Sequence, residues 1–164
     1  MTRRSWVALA ATLAMGLVGG QAQARPAVVK VSLWDRGAMS MAMLERGPMM
    51  GMEAGHMPNG PMGISVSTAT VPAGDVTFNV TNDSTVMEHE MVVSPVKDER
   101  TPLPYNKAAQ KVDEDAAGHL GEVAELAQGQ KGSLTLSMKP GRYVLYCNIA
   151  GHYALGMWTL LTVK

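Results

Sequence analysis

The sequence predicts an all-β protein, built as an antiparallel Greek-key sandwich with a flexible methionine-rich insertion and one short helix at most. Short runs in which apolar and polar residues alternate, many of them rich in Val, Ile and Thr, indicate strands. Gly, Pro, Asn and Asp residues between these runs indicate turns, and many short strands joined by turns are typical of sandwiches. Because the chain has one Phe, the residues Val, Leu, Ile and Met must fill most of the core.

The first 24 residues have the pattern of an export signal. Arg3 and Arg4 precede an apolar run at 6–18, and Ala-Gln-Ala at 22–24 matches the small-x-small pattern of a signal-peptidase site. The run is short for a membrane span, although a retained anchor is the alternative. We therefore expect a signal peptide at 1–24 and a periplasmic protein. The two arginines leave the Sec and twin-arginine export routes both open.

The charge balance and the lack of a long amphipathic helical pattern argue against two classes of partner. The chain has 14 Lys and Arg residues against 14 Asp and Glu residues, and loss of Arg3 and Arg4 leaves 12 against 14. Nucleic-acid binding requires a basic surface, and binding along a membrane surface requires a long amphipathic helix. We expect no nucleic-acid partner, no stable membrane insertion after signal cleavage, and a monomeric protein.

The N-terminal part of the predicted mature chain contains one strand and one unusual segment. Residues 25–37 hold the first strand, at 28–34, where apolar and polar residues alternate. Residues 38–63 contain eight of the 14 methionines, with Gly and Pro residues among them. Gly and Pro interrupt helices, so this composition argues against one continuous helix. We interpret 38–63 as a mobile segment.

Residues 64–164 contain the remaining strands and form the predicted sandwich domain. The connection at 94–130 is long and polar, and one short helix is expected within 105–116. Alternation and turn residues elsewhere predict six strands, at 64–70, 75–81, 88–93, 133–138, 142–147 and 157–163.

The chain has a single cysteine, Cys147. An exported protein with one cysteine cannot form an internal disulfide, and a spare thiol is a liability in an oxidising compartment. Metal binding would account for this residue. A buried, unreactive thiol is the alternative.

Three potential metal ligands lie in one short segment. Cys147, His152 and Met157 are spaced five residues apart, between the end of one predicted strand and the start of the next. With His89 from another strand, they offer two nitrogens, one thiolate and one weak thioether ligand. This set suits a blue-copper electron-transfer centre, because soft sulfur favours Cu(I) and imidazole accepts Cu(II). Each residue alone has an ordinary structural explanation, and zinc is disfavoured because methionine is a poor zinc ligand.

The same segment carries a resemblance to a known family. Its Cys-x4-His-x4-Met spacing is similar to that of the cupredoxins, the blue-copper family that includes plastocyanin, azurin, rusticyanin and sulfocyanin, and its length is similar to that of the last two. Four further stretches resemble members of the family, at 71–82, 89–93, 121–126 and 139–143.

The resemblance covers about 64–164 and implies an electron carrier or copper-binding protein instead of an enzyme. It also implies one type 1 copper ion on four ligands, His89, Cys147, His152 and Met157. Two positions depart from the family pattern: Glu90 stands where azurin and plastocyanin carry Asn, and Ala150 stands where relatives often carry Pro. Neither departure removes a ligand, but both are expected to influence the reduction potential and the colour.

The residues around the second histidine predict how an electron would leave. In the family this histidine lies near the surface and serves as the exit. Here Tyr153, Ala154 and Leu155 would form an apolar collar around His152 that docks a redox partner, such as a cytochrome or an oxidase. Ordinary packing of these loop residues is the alternative.

A hydrogen bond to the Cys147 sulfur would tune the reduction potential, and exclusion of water from the sulfur would add to this effect. The expected donor is one of three polar residues that precede the first-histidine strand, Asn82, Asp83 or Ser84.

The methionine-rich segment suggests a second role. Thioethers bind Cu(I) and stay unprotonated at any pH, so several close together can capture copper. The candidate ligands of this secondary Cu(I) site are Met39, Met41, Met43, Met49, Met50, Met52, His56 and Met57. A flexible linker without ligands is the alternative. His119 lies outside any ligand spacing and would add a second copper site only if it came near His56.

Two functions share these features. The first is single-electron transfer in the periplasm through the Cys/His/His/Met site. The second is copper tolerance, in which the protein sequesters copper or delivers it to copper-handling proteins, as a similarity to bacterial copper-tolerance cupredoxins with Met- or His-rich N-terminal parts implies. A copper enzyme is disfavoured because the chain has four histidines and one predicted domain. A metal-free sandwich for adhesion or interaction is the remaining alternative.

Overall fold

The computed structural model describes residues 25–46, 60–98 and 101–164. The predicted signal peptide and the middle of the methionine-rich segment lie outside the described residues. The described residues form eleven strands and two helices, in the order β1 (Ala27–Asp35), α1 (Ala38–Arg46), β2 (Met62–Val66), β3 (Thr70–Val71), β4 (Gly74–Asn82), β5 (His89–Val96), β6 (Tyr105–Asn106), β7 (Lys111–Val112), α2 (Glu114–Ala117), β8 (Gly121–Leu126), β9 (Lys131–Met138), β10 (Gly141–Tyr146) and β11 (Trp158–Val163).

Nine of these strands form two sheets that enclose the core. The first sheet has the order β2-β1-β4-β9, and the second has the order β3-β11-β10-β5-β8. Strands β6 and β7 pair with each other in a small third sheet. Many neighbours, such as β4 with β9 and β5 with β10, are not consecutive in the chain, as expected for Greek-key crossings. The predicted all-β sandwich is confirmed.

Two strand pairs differ from the antiparallel prediction. Strand β1 pairs in parallel with β4, and β3 pairs in parallel with β11. Parallel neighbours need a long connection that returns the chain to the same end of the sheet. The methionine-rich segment, β2 and β3 lie between β1 and β4 and provide that length.

Strand β1 lies inside the sandwich, although it was predicted apart from the domain at 64–164. Val29, Val31 and Leu33 alternate along it and are at most 3% exposed. The register places Val29 beside Phe78 and Val31 beside Val80 on β4, and both partners are buried. Burying this alternate row of apolar side chains contributes to the hydrophobic stabilisation of the fold.

Both helices differ from the sequence prediction. Within 105–116, residues 105–106 and 111–112 form β6 and β7, and the helix α2 begins later, capped by the Asp113 side chain and ended by Gly118 at a φ of 71°. Helix α1 was not predicted, yet Ala38–Arg46 contains no Gly or Pro, so the argument against a helix applies only to the rest of the segment. Neither helix has the length and hydrophobicity that a membrane span requires, within the described part of the chain.

Strand β8 was also missed, because Gly121–Leu126 was assigned to the long polar connection. Its exposed residues include two glutamates, while Val123 and Leu126 are buried. The strand lies at the edge of the second sheet, where it pairs with β5. Charged residues are common on edge strands, and they conceal the alternation on which a strand prediction depends.

The two described ends of the methionine-rich segment meet at the edge of the first sheet. Asp35 and Met62 are cross-strand partners in the β1–β2 pair. The main-chain N–H of Arg36 donates to the Pro61 carbonyl at 2.9 Å, and the buried Ser40 hydroxyl on α1 donates to the same carbonyl. Met62 is fully buried in the core, so this methionine fills space between the sheets.

Candidate metal centre

The four predicted ligands lie at one end of the second sheet. His89 is the first residue of β5, Cys147 directly follows β10, and Met157 directly precedes β11. Strand β10 runs between β5 and β11 and is antiparallel to both, so its last residues lie beside the beginnings of its two neighbours. The connection from β10 to β11 adds His152.

Three of the four side chains converge on a common point. His89 Nδ1 lies 3.2 Å from His152 Nδ1, and Cys147 Sγ lies 3.4 Å from His152 Nδ1. One potential ligand atom from each of these residues lies within 4.8 Å of the others. The relative exposure of the three residues is 3% or less, so water is largely excluded.

The loop between β10 and β11 is held by its own main-chain hydrogen bonds. Cys147 N–H donates to the Met157 carbonyl at 3.1 Å, and Met157 N–H donates to the His152 carbonyl at 3.0 Å. Gly151 and Gly156 have φ angles of 83° and 93°, a region that favours glycine, and they allow the chain to turn twice within this short loop. The side chain of Met157 is fully buried in the same hydrophobic cluster as Cys147.

Burial controls the protonation of the three converging ligands in the metal-free protein. It raises the pKa of the Cys147 thiol to about 12, although main-chain hydrogen bonds from Glu90 and Ile149 act in the opposite direction. Burial also lowers the pKa of His89, and burial with the nearby His89 charge lowers the pKa of His152 to about 4. The metal-free site is therefore a neutral thiol beside two neutral imidazoles.

A family model described as copper binding proteins, plastocyanin/azurin family, matches residues 51–164, which is more than half of the chain. The chain is a cupredoxin of this family. The resemblance noted in its sequence is thereby confirmed.

Two solved rusticyanin structures have a similar fold, and an auracyanin structure is similar over a smaller part of the chain. Rusticyanin from Thiobacillus ferrooxidans is 18% identical over 84% of this chain and 76% of its own, with a TM-score of 0.50. Another rusticyanin structure is 18% identical over 87% of this chain and 80% of its own, with a TM-score of 0.52. A reduced auracyanin from Roseiflexus castenholzii is 23% identical over 61% of this chain and 87% of its own, with a TM-score of 0.47. No curated protein sequence matches this chain.

The geometry and the donor chemistry fit one type 1 copper ion. Two neutral imidazole nitrogens and one sulfur are already adjacent, and neutral imidazoles can bind a metal without first losing a proton. A bound cation reverses the effect of burial on a thiol, because coordination favours the thiolate. The residues that would hold copper are His89, Cys147, His152 and the buried Met157.

The predicted side-chain donor to the Cys147 sulfur was wrong. The donors are main-chain N–H groups, and that of Glu90 lies 3.5 Å from Sγ. The side chain of Asn82 instead donates to the carbonyls of Met87 and Leu126, and its oxygen accepts from the Ser84 N–H. Main-chain donors do not depend on the type of side chain, so the sequence carried no signal for them.

The expected apolar collar around His152 was also wrong. Tyr153, Ala154 and Leu155 are at most 3% exposed, so they pack inside the cupredoxin, as the alternative had proposed. The Tyr153 hydroxyl accepts a hydrogen bond from the Leu103 N–H at 3.1 Å, and the ring packs edge-on against Tyr146 at 5.9 Å.

A surface cleft reaches His152 from another side. It is lined by apolar side chains and by charged groups of both signs, namely Val86, Met87, Glu88, Lys111, Glu125, Ile149, Ala150 and His152. Ala150, one of the two departures from the family pattern, is an exposed residue of this lining. The cleft makes the otherwise buried imidazole of His152 approachable from the surface.

Glu90, the other departure from the family pattern, has a buried side chain that is 6% exposed. Burial and the charge of Glu125 raise its pKa to about 7, while Lys111 acts in the opposite direction. Its main-chain N–H contacts the Cys147 sulfur, and its side-chain charge raises the pKa of the Cys147 thiol, so the residue influences the site through both groups.

Asp35 belongs to the site but was not predicted. Its Oδ2 lies 2.9 Å from His89 Nε2, the ring nitrogen on the far side from His152, and the two side chains are 1% and 0% exposed. Burial alone would raise the pKa of Asp35, but hydrogen bonds from Ser84, Gly37 and His89 lower it overall. More than fifty residues separate Asp35 from His89 in the chain, and only the pairing of β1 with the other strands brings them together.

Asn148 is a second residue that was missed. It follows Cys147 directly and is 4% exposed. Its Oδ1 accepts from the Val112 N–H at 2.6 Å, and its amide donates to the Val112 carbonyl at 3.0 Å and to Glu114 Oε1 at 2.7 Å. These bonds attach the ligand loop to β7 and α2. An amide directly after the cysteine was the only sequence signal.

Part of the proposed secondary Cu(I) site is described. Met39 and Met41 lie on α1 and are each 48% exposed, whereas Met43 is partly buried against the core. The other candidates, Met49, Met50, Met52, His56 and Met57, lie outside the described residues.

His119 does not join the main site. It is exposed, and one of its ring nitrogens lies within 4.8 Å of carboxylate oxygens of Glu114 and Glu122. Exposed acidic groups of this kind are common without a metal, so we assign no metal site to these three residues.

Proposed function

We propose that this cupredoxin transfers single electrons through one type 1 copper ion in the periplasm. The observation that supports this most strongly is the convergence of His89, Cys147 and His152, whose ligand atoms lie within 4.8 Å of one another. When bound, copper would supply the change between Cu(II) and Cu(I). The polypeptide must then hold the ligands in one arrangement for both oxidation states.

The rigidity of the ligand positions favours this function. His89 is fixed by β5 and by its hydrogen bond to Asp35, and Cys147 is fixed by the end of β10. The loop that carries His152 is closed by main-chain hydrogen bonds and is attached to β7 through Asn148. Because these contacts do not involve the metal, the ligands need little rearrangement when the charge of the ion changes.

The cleft at His152 is the proposed route for the electron. A partner that fills the cleft would approach the imidazole, while the apolar side chains of Val86 and Met87 would exclude water at the contact. The proposed partner is a redox protein such as a cytochrome or an oxidase. The export pattern at 1–24 supports the periplasmic location, and four protein ligands around copper favour an electron carrier over an enzyme.

The test is Cu(II) titration of the purified protein, followed by voltammetry. One equivalent should produce an intense visible band and a reversible one-electron couple. Cys147→Ala should abolish the band, and Met157→Leu should change the band and the potential. Met138→Leu is the matched control, because Met138 is also a buried core methionine but lies on β9. Absence of an intense band in the wild-type protein would refute the proposal.

Copper handling is a second candidate, supported by the two exposed thioethers of α1. Met39 and Met41 are each 48% exposed, and the same helix contacts the ligand loop through Leu44, which lies beside Gly151. Thioethers on a helix so close to the copper site are suited to capturing Cu(I).

Competition with a coloured Cu(I) chelator tests this second candidate. The wild-type protein should bind more than one Cu(I), and Met-to-Leu substitution at 39, 41, 49, 50, 52 and 57 should reduce the number to one while the blue band is retained. These substitutions are preferable to deletion of 38–63, because Ser40 and Met62 are fully buried and deletion would damage the core. A stoichiometry of one in both proteins would exclude this role.

A further inference from the structure

The carboxylate of Asp35 and the ring of His89 form a buried pair at the outer side of the copper site. His89 Nδ1 faces His152, and His89 Nε2 faces Asp35 Oδ2 at 2.9 Å. An ionised carboxylate can only accept hydrogen bonds, so the proton of the imidazole lies on Nε2. Nδ1 is then left with a free lone pair that points toward Cys147 and His152, as a metal ligand requires.

The carboxylate is itself held in place from several directions. Gly37 N–H donates to Oδ1 at 2.6 Å, and the Ser84 side chain also hydrogen-bonds to Asp35. Ser84 Oγ accepts hydrogen bonds from the Val86 and Met87 N–H groups, which lie in the turn that leads to His89. Asp35 is therefore fixed by β1 and by the same turn that positions the histidine.

We propose that Asp35 is a positioning residue for the copper centre, which fixes the orientation and tautomer of His89 and stabilises Cu(II) relative to Cu(I). The inference rests on the proposed function. A copper ion and the Cys147 thiolate together carry one positive charge with Cu(II) and no charge with Cu(I). A buried negative charge linked to a ligand therefore favours the oxidised form and lowers the reduction potential.

The substitution Asp35→Asn separates charge from geometry. The amide oxygen introduced by this change can still accept the hydrogen bond from His89 Nε2, at the expense of the bond from Gly37. Asp35→Ala removes both the charge and the acceptor. Asp83→Asn is the matched control, because Asp83 is an exposed aspartate directly after β4 whose carboxylate accepts a hydrogen bond from Ser32 and does not contact a ligand.

Voltammetry of the copper-loaded variants measures the charge effect. Asp35→Asn should shift the equilibrium about tenfold toward Cu(I), which equals a rise of about 59 mV for a one-electron couple. Asp35→Ala should also weaken Cu(II) binding by about 10- to 100-fold, the usual effect of removing a residue that orients a ligand. Asp83→Asn should leave the potential and the affinity close to those of the wild-type protein.

Nitrogen-15 NMR of the diamagnetic Cu(I) protein measures the geometric effect. The Nε2 proton of His89 should exchange slowly in the wild-type protein and rapidly in Asp35→Ala. If Asp35→Ala fails to fold, Asp35→Asn still tests the charge. A blue, redox-active wild-type protein whose potential is the same in Asp35→Asn would overturn the inference alone. A wild-type protein with no reversible copper couple would overturn the proposed function as well.

Discussion

The side chain of Leu44 on α1 lies directly against Gly151 in the ligand loop. A Cβ atom added to Gly151 would lie 2.9 Å from Leu44 Cδ2 and 3.2 Å from Gln110 Oε1. The loop and the start of the methionine-rich segment are therefore in close contact, one residue away from His152. This contact explains why the ligand loop requires a residue without a side chain at this position.

We expect Gly151→Ala to destabilise the protein through two separate effects. The φ of 83° is unfavourable for alanine and costs about 1 kcal/mol, and the contacts with the ends of the Leu44 and Gln110 side chains, which must shift, add about 0.5 kcal/mol. Gly129→Ala is a control, because Gly129 has a similar φ of 73° but no atom within 4 Å of an added Cβ. The free energies of unfolding by urea measure the difference, and equal losses for both variants would contradict the contact effect.

Among the buried polar residues near the first histidine, Asn82 is the one whose substitution should reduce the stability of the protein most. Its side chain makes three hydrogen bonds, two buried and one partly buried, which join β4 to the end of β8 and to the turn before His89. Asn82→Ala leaves two carbonyls and one N–H without these partners, so the expected loss of unfolding free energy is about 3 kcal/mol. Asn79→Ala, on the exposed face of the same strand, should cost about 0.5 kcal/mol or less. Similar losses in both would show that the buried bonds contribute little.

The strands and the ligand loop could be predicted from the sequence because their signals are local. Alternation over 75–81 predicted most of β4, and the equal spacing of Cys147, His152 and Met157 indicated one loop with three donors. Strand β8 was not predicted from alternation, because its two glutamates face solvent at the edge of the sheet and conceal the apolar pattern. Helix α1 was not predicted because the Gly and Pro residues further along the segment were taken as evidence against a helix anywhere in it. Ala38–Arg46 contains neither residue type.

The surroundings of the ligands could not be predicted, because they depend on contacts between distant strands. Asp35 reaches His89 only through the sheet pairing of β1. The sulfur receives its hydrogen bond from the Glu90 backbone, for which side-chain identity gives no signal. The loop residue Tyr153 was open to two interpretations, and its burial depends on Leu103 and Tyr146, which come from other parts of the chain.

The copper-free protein should protect Cys147 from alkylation. The thiol is fully buried, and burial raises its pKa to about 12, so little thiolate forms at pH 8 and reagents cannot reach it. Iodoacetamide should therefore modify the native protein at least about 100-fold more slowly than the protein in guanidinium chloride, since reaction requires opening of the structure. Mass spectrometry follows the modification. Rapid labelling of the native, copper-free protein would show that the loop opens readily when no metal is bound.

Asn148 should control the order of the ligand loop without contacting copper. Its side chain makes hydrogen bonds to Val112 and Glu114, so Asn148→Ala removes the attachment of the loop to β7 and α2 and should cost about 2 kcal/mol or more. Glu114→Gln keeps an acceptor oxygen for the amide of Asn148 and should cost much less. We expect Asn148→Ala to broaden the electron paramagnetic resonance lines of the Cu(II) form, because His152 and Met157 would occupy a wider range of positions. Sharp lines and wild-type stability in this variant would show that the main-chain hydrogen bonds of the loop are sufficient to order it.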